Sequence, residues 1–323
     1  MQSTSPGVLT KVRQHQIAAE EAGQRIDNFL LRHFKNIPKS HVYKMLRSGE
    51  VRVNKGRVQA TYRLLEGDVV RLPPVREQPD SDKPAPKAPT GLQSSLESAI
   101  LYEDNALLVL NKPSGLAVHG GSGLSFGVIE TLRTARPDAP FLELVHRLDR
   151  ETSGCLIVAK KRSALRGLHE QLREGQMDKH YLVLAKGTWK GGAQSVDVAL
   201  RKNTLRSGER IVQAEAEGKA ARTRFVPVQR FRRAALLRAE LETGRTHQIR
   251  VHLQSIGHPV AGDDKYGDPE FNRELRDLGL RRLFLHAAHL NFMHPVKGER
   301  LMVEAPLPDE LQVVLQKMDG RSS

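Results

Sequence analysis

The residues best suited to chemistry lie together in Val145-His146-Arg147-Leu148-Asp149-Arg150-Glu151-Thr152-Ser153-Gly154. One carboxylate stands there between two arginines, after an apolar run and before a Ser-Gly turn. Guanidinium groups favour the charged form of a neighbouring carboxylate, and an ionised Asp149 can serve as nucleophile or base. Taken alone, the same pattern also describes an exposed Asp-Arg turn, so the rest of the chain has to decide. A second dense stretch runs Thr243-Gly244-Arg245-Thr246-His247-Gln248-Ile249-Arg250-Val251-His252, followed by Gly257-His258-Pro259 and Gly262-Asp263. Thr246 is suited to cap a helix, which sets His247 and Arg250 three residues apart on one helical face.

Thirteen histidines and Asp263 raise the question of a metal site. The chain has no His-Glu-x-x-His and no paired cysteines, and its histidines fall in Gly/Pro turns and basic strings where neutral hydrogen bonding suffices. No metal is expected. A Ser-His-Asp hydrolase is no better supported, because no Gly-x-Ser-x-Gly elbow is present.

The elements that must position these residues are mostly strands. Ile100-Leu101-Tyr102, a turn at 103–105 and Leu107–Leu110 open the larger domain, and a helix is expected from about Ser125 to Thr134 through Val128, Ile129 and Leu132. Cys155–Ala159 reads as an apolar strand, and Leu165, Leu168 and Leu172 mark a helix from Ser163. Further strands are expected at 178–187, 221–228, 234–241, 283–288 and 302–306. Many strands joined by turns, with few helices between them, predict an α+β fold with a largely antiparallel mixed sheet.

Charge says what such a domain acts on. Lys and Arg number 51 against 37 Asp and Glu, a formal net charge of +14, and a field of that sign suits a polyanion. No stretch reaches the 18 or more apolar residues of a spanning helix, residues 1–7 lack the apolar core of a secretory signal, and the single cysteine, Cys155, sits in an apolar run as a small hydrophobe. A cytoplasmic protein with no membrane partner is expected. Residues 22–75 carry eleven Lys/Arg and four Asp/Glu, a net of +7, which is half the excess in about one sixth of the chain. Ile26, Phe29, Leu30 and Phe34 predict one helix; Ser40 as cap, then Val42, Met45 and Leu46, ending at Gly49, predict a second; strands are expected at 51–54 and 69–72. Arg32, Lys35, Lys39, Lys44 and Arg47 would line a face that tracks a phosphate backbone. Residues 1–20 read as a mobile leader, 21–75 as a small domain, 76–97 as a Pro-rich linker and 98–319 as the larger domain. The loop Gly120-Gly121-Ser122-Gly123-Leu124 lacks the Gly-Lys-Ser/Thr of a P-loop and reads as a flexible loop near bound RNA.

Two resemblances follow from these residues. Gln24-Arg25-Ile26-Asp27, Pro38-Lys39-Ser40 and Gly49-Glu50-Val51-Arg52-Val53-Asn54-Lys55 resemble the ribosomal-protein-S-four-like RNA-binding domain, or alpha-L motif, which implies a module for structured RNA and adds Lys55 to its contacts. His146-Arg147-Leu148-Asp149 with Thr152-Ser153-Gly154, Lys179-x-Tyr181, Gly244 to His252 with Gly257-His258-Pro259, Gly262-Asp263 and Tyr266-Gly267, and Leu285-His286-Ala287 resemble the RluA group of pseudouridine synthases, from about Ile100 to the C-terminus. The likeness implies conversion of specific uridines of 23S ribosomal RNA, free or in a large-subunit assembly intermediate, to pseudouridine. That isomerisation moves the uracil link from N1 to C5 and needs no cofactor; a monomer is expected. By resemblance Asp149 is the essential carboxylate, and it could attack C1′, add to the uracil ring or remove the C2′ proton. Arg250 would pair with it, Tyr181 would stack on the base and help relay the C5 proton, and Arg147 would fill the gap left by the flipped nucleotide. His119 would touch RNA and His146 would support the loop. A rival reading keeps the RNA-binding surface without turnover, as in a ribosome-assembly factor.

Overall fold

The computed structural model describes residues 12–18, 21–34, 37–75, 88–120, 126–204 and 210–320. Two compact units divide the chain, Met1–Lys87 and Ala88–Ser323.

In the first unit, β1 (Arg13–Gln16), α1 (Ile26–His33), α2 (Lys39–Ser48), β2 (Arg52–Val53) and β3 (Val69–Leu72) follow in order. The strands form an antiparallel sheet ordered β1-β3-β2. Helix α1 buries Ile26, Phe29 and Leu30 and helix α2 buries Val42, Met45 and Leu46, each at the three- and four-residue spacing that keeps side chains on one face. Both meet Val53, Leu64, Val70 and Leu72 in a single core. Gly49 closes α2 in the left-handed conformation, φ 76. Two expectations fail here. Residues 13–16 of the supposed leader are a strand, because their backbone completes the sheet beside β3, with Arg13 opposite Leu72. The residue at the start of α2 is Pro38, not Ser40, and no side chain caps it.

The second unit begins with α3 (Thr90–Ser98), which removes the last residues of the expected linker: Leu96 is fully buried against the larger core, a driving force that a linker lacks. There follow β4 (Ile100–Glu103), β5 (Leu107–Lys112), α4 (Val128–Ala135), β6 (Glu143–Leu144), β7 (Ser153–Ala159), α5 (Arg162–Glu174), β8 (Asp178–Lys186), β9 (Gln194–Asp197), β10 (Leu200–Thr204), β11 (Arg210–Ala214), β12 (Arg222–Arg230), β13 (Ala234–Leu241), α6 (Gln248–Ser255), α7 (Pro269–Asp277), β14 (Leu285–Met293), β15 (Arg300–Glu304) and α8 (Asp309–Gly320). Ten strands make one sheet, ordered β4-β5-β7-β14-β8-β13-β12-β9, with β6 on β7 and β15 on β14; β10 and β11 pair as a separate hairpin. Every pairing in the large sheet is antiparallel except β7 with β14, so the fold is α+β with a mixed, largely antiparallel sheet. Strand β7 is buried along its whole length because it is central. Its Cys155 is fully buried, and burial pushes the thiol up to about 12, so it packs as a hydrophobe. Among the described residues, no helix is long and apolar enough to cross a membrane.

Candidate active site

Asp149 sits in the turn that feeds β7, and the turn is held from both sides. Its own carbonyl accepts the Thr152 N–H, 3.1 Å. The end of β5 grips the following residues: Gly115 N–H donates to the Arg150 carbonyl, Arg150 Nε donates back to the Gly115 carbonyl, and Ser114 Oγ donates to the Glu151 carbonyl. Beneath lies Lys112, fully buried, whose ammonium donates to the carbonyls of Pro113, Leu116 and Arg150 at 2.8, 2.8 and 3.0 Å. Burial, with Arg282 nearby, lowers this lysine to about 7. Gly154 then enters β7 with φ 106, where a Cβ would run into the Ala287 carbonyl, so only glycine lets β7 approach β14 here. His146 accepts the Ile157 N–H through Nε2 at 3.1 Å, and burial lowers it to about 4, so it supports the loop as a neutral ring.

Arg250 comes from the first turn of α6. The helix starts differently from the expectation: its N-cap is His247, not Thr246, and His247 is left-handed, with φ 54 and ψ 20. Thr246 is displaced because the buried Gln248 organises the entry. Its side-chain oxygen accepts from Thr243 Oγ1 and Arg245 N–H, and its nitrogen donates to the Arg222 carbonyl and Thr223 Oγ1. Ile249 and Leu253 bury on the core side, which turns Arg250 towards the loop.

The expected ion pair between Arg250 and Asp149 forms, but Asp149 is not the closest partner of Arg250. Arg250 gives its two strongest bonds to Asp263, Nε to Oδ2 at 2.7 Å and Nη2 to Oδ1 at 2.8 Å, while Nη1 reaches Asp149 Oδ2 at 3.3 Å. The Asp263 side chain is wholly buried and that of Arg250 is 11 % exposed. Burial works against charge on both, but their mutual bonds prevail: Arg250 is pushed above its ordinary value and Asp263 below. The backbone N–H groups of Lys265 and Tyr266 also donate to Asp263, and Asn272 holds its carbonyl. Gly262, φ 70, passes so close to the Arg282 carbonyl that no side chain fits. Asp263 thus fixes the guanidinium that Asp149 meets. The signal for it was present in Gly262-Asp263, which the resemblance includes but to which the sequence assigns no ion-pairing role.

Tyr181 stands on β8 facing the same space. Its cross-strand neighbours are Ala239 and Ala287, small residues that leave the phenol room beside Leu148, Ile249 and Leu285. Burial, then the charge of Asp149, raises its phenol, which therefore keeps its proton. Asp149, Tyr181, Arg250 and Arg147 line one cleft, and Asp149 is 18 % exposed there. The two side chains near Asp149, the Arg250 guanidinium at 3.3 Å and the His247 imidazole at 3.8 Å, address Oδ2. Among the described residues no partner engages Oδ1.

The cleft continues into two basic troughs. One is lined by Arg147, Arg173, Lys179 and Arg245, the other by Arg201, Lys202, Lys219 and Arg245. The second depends on the β10–β11 hairpin, which sequence periodicity does not reveal because neither Leu-Arg-Lys-Asn-Thr nor Arg-Ile-Val-Gln-Ala alternates apolar and polar residues. His119 is exposed and lies outside the cleft lining. Arg32, Lys39, Lys44, Arg47 and Lys55 are exposed on the first unit, whereas Lys35 lies outside the described residues, as does Gly121–Leu124 of the glycine loop. Among the described residues, no three His, Cys, Asp or Glu side chains gather as a metal site.

A family model described as RNA pseudouridylate synthase matches residues 106–255, and one described as S4 domain matches residues 24–70. The chain is 58% identical over 314 residues to ribosomal large subunit pseudouridine synthase C of Pasteurella multocida, covering 97% of this chain and 95% of that protein. It is 58% identical over 304 residues to the protein of the same name from Escherichia coli strain K12, covering 94% and 95%. Among solved structures, human RNA pseudouridylate synthase domain containing 4 superposes with a TM-score of 0.60 at 28% identity, covering 71% of this chain and 96% of that one.

Proposed function

The chain belongs to the RNA pseudouridylate synthase family, and from that premise we propose that it isomerises specific uridines of 23S ribosomal RNA to pseudouridine, with Asp149 as the essential carboxylate. The observation that carries the reading is the asymmetry of Asp149. Oδ2 faces Arg250 and His247, no partner engages Oδ1 among the described residues, and Asp149 lines the cleft together with Tyr181.

Each of the three routes open to a carboxylate, attack at C1′, addition to the uracil ring or removal of the C2′ proton, needs one oxygen that is ionised and unengaged. Arg250 supplies the ion pair, and Asp263 keeps its guanidinium from wrapping both oxygens. Tyr181 holds its proton, so it offers the flipped uracil a stacking face and a hydroxyl that can hand on a proton rather than a base. Unstacking the target base costs a few kcal/mol; Arg147, exposed at the cleft wall, takes the vacated place in the RNA. The atoms lost and regained by the nucleotide balance without hydrolysis or redox change, so no cofactor takes part. The basic troughs guide the strand on either side of the target, and Arg32, Lys35, Lys39, Lys44, Arg47 and Lys55 of the first unit, with His119 of the second, add phosphate contacts. The domain limits follow the same logic, with an RNA-binding module that takes in β1 and runs from Arg13 to Val75, joined by a Pro-rich segment to the catalytic unit. The protein works as a monomer in the cytoplasm, where ribosomal RNA is made.

Replacing Asp149 with Asn tests the centre of this reading. Pseudouridine formation on 23S ribosomal RNA is expected to fall by on the order of 10³-fold or more, with RNA affinity retained. Turnover at the wild-type rate would make the chain an RNA-binding factor instead.

A further inference from the structure

A hydrogen-bonded chain runs from the β10–β11 hairpin to the cleft, and its middle member is the strained His247. A left-handed conformation costs a non-glycine residue about 1–2 kcal/mol. In it, the His247 carbonyl accepts the Val251 N–H at 3.0 Å while the ring turns to Tyr266, with Nδ1 2.9 Å from the phenol oxygen and Nε2 3.8 Å from Asp149 Oδ2.

One end of the chain has a fixed direction. The Val212 N–H can only donate, so the Tyr266 oxygen accepts it, at 2.9 Å. The phenol O–H then has His247 Nδ1 within reach as its acceptor. Burial raises the Tyr266 phenol and lowers the His247 imidazole, so the phenol stays protonated and the ring stays neutral. Around the ring, Asp149 and Asp263 favour an imidazolium and Arg250 and Lys265 oppose it. A neutral ring that accepts at Nδ1 carries its one N–H at Nε2, the nitrogen facing Asp149.

We propose that His247 is a positioning residue for Asp149, held by the Tyr266 hydroxyl in the tautomer that points Nε2–H at Oδ2. The proposal rests on the reading of Asp149 as the reactive carboxylate. The present 3.8 Å separation exceeds a hydrogen bond, and such contacts commonly tighten when substrate binds. His247 and Arg250 together then commit Oδ2 and leave Oδ1 for the nucleotide.

The test is a double-substitution cycle in the full-length protein, read by single-turnover kcat and by KM on 23S ribosomal RNA. Tyr266→Phe removes the hydroxyl that sets the tautomer; kcat is expected to fall about tenfold, the worth of one hydrogen bond to a charged group, with KM little changed. His247→Gln keeps an N–H donor that needs no help from Tyr266, and in that background Tyr266→Phe is expected to change kcat less than about twofold. An equal loss in both backgrounds would overturn the proposal and assign Tyr266 to packing against Arg250, whose guanidinium lies 5.0 Å from its ring; an unchanged kcat in Tyr266→Phe would overturn it as well. Should Tyr266→Phe unfold the protein, His247→Gln against His247→Ala decides, since a several-fold higher kcat for Gln supports the proposal and equal rates reject it. Turnover by Asp149→Asn would instead sink the underlying reading, so the two failures are told apart.

Discussion

The two basic regions of this protein use charge in opposite ways. On α2 of the first unit, Lys39, Tyr43 and Arg47 recur every four residues as one exposed stripe, opposite the buried Val42, Met45 and Leu46. In the cleft of the second unit, Arg250 is nearly buried and its bonds to two carboxylates run from 2.7 to 3.3 Å. Exposed charges act over a screening length of about 8 Å at physiological salt, so they tolerate imprecise placement and any polyanion satisfies them. A buried guanidinium acts at contact, and its value lies in where it is fixed.

Breaking the buried side of that comparison should have the larger effect. Asp263→Asn leaves Arg250 with one full anionic partner, Asp149, and frees it to engage both oxygens. We expect kcat to fall about 10²-fold, the usual consequence of displacing a reacting group by about an ångström, with RNA affinity preserved; a normal kcat would show that the bidentate pair is only structural. Reversing the exposed side, by Lys39→Glu, Lys44→Glu and Arg47→Glu together, should do the converse. KM should rise roughly tenfold or more and the salt dependence of binding should flatten, while single-turnover kcat at saturation holds. A fall in kcat at saturating RNA would mean that the stripe shapes the chemistry.

The smallest expected effect concerns Lys112, a buried amine that lies under the Asp149 turn with no ion pair among the described residues. In the unfolded chain it titrates near 10.5 and in the folded protein near 7. Between those values the unfolded state binds the extra proton, so stability gains with rising pH across the window. Thermal unfolding of wild type and Lys112→Met, compared from pH 6 to pH 10, should show the wild type gaining on the variant as pH rises. A constant difference would mean that the lysine keeps one protonation state throughout.

Much of the fold is legible in the sequence where one face is buried and the other wet. Strand β13 runs Ala234–Leu241 as expected, and α5 falls within one residue of its expected start at Ser163. Elements without such a pattern are not legible. Strand β1, Arg-Gln-His-Gln, forms because β3 offers it a partner, and the β10–β11 hairpin forms against Tyr266 through the small cluster of Leu200, Val212, Ala221 and Val251. The helix caps at Ser40 and Thr246 misled for a related reason. Local capping preference is worth about 1 kcal/mol, and the four bonds of Gln248 outweigh it at α6.

The sequence by itself determined the chemistry on offer: a carboxylate among arginines, a tyrosine at a strand entry, a histidine-arginine helix start, and enough positive charge to require a polyanion. Residue types and local spacing are written in the chain, and so are the motifs that resemble a family. Only the tertiary structure decided the pairing. It gave Arg250 first to Asp263 and second to Asp149, turned His247 between Tyr266 and the cleft, and left one oxygen of Asp149 open. Hydrogen-bond direction and partner choice depend on distances of a few tenths of an ångström between groups up to a hundred residues apart, and those distances are set when the sheet closes around the turn.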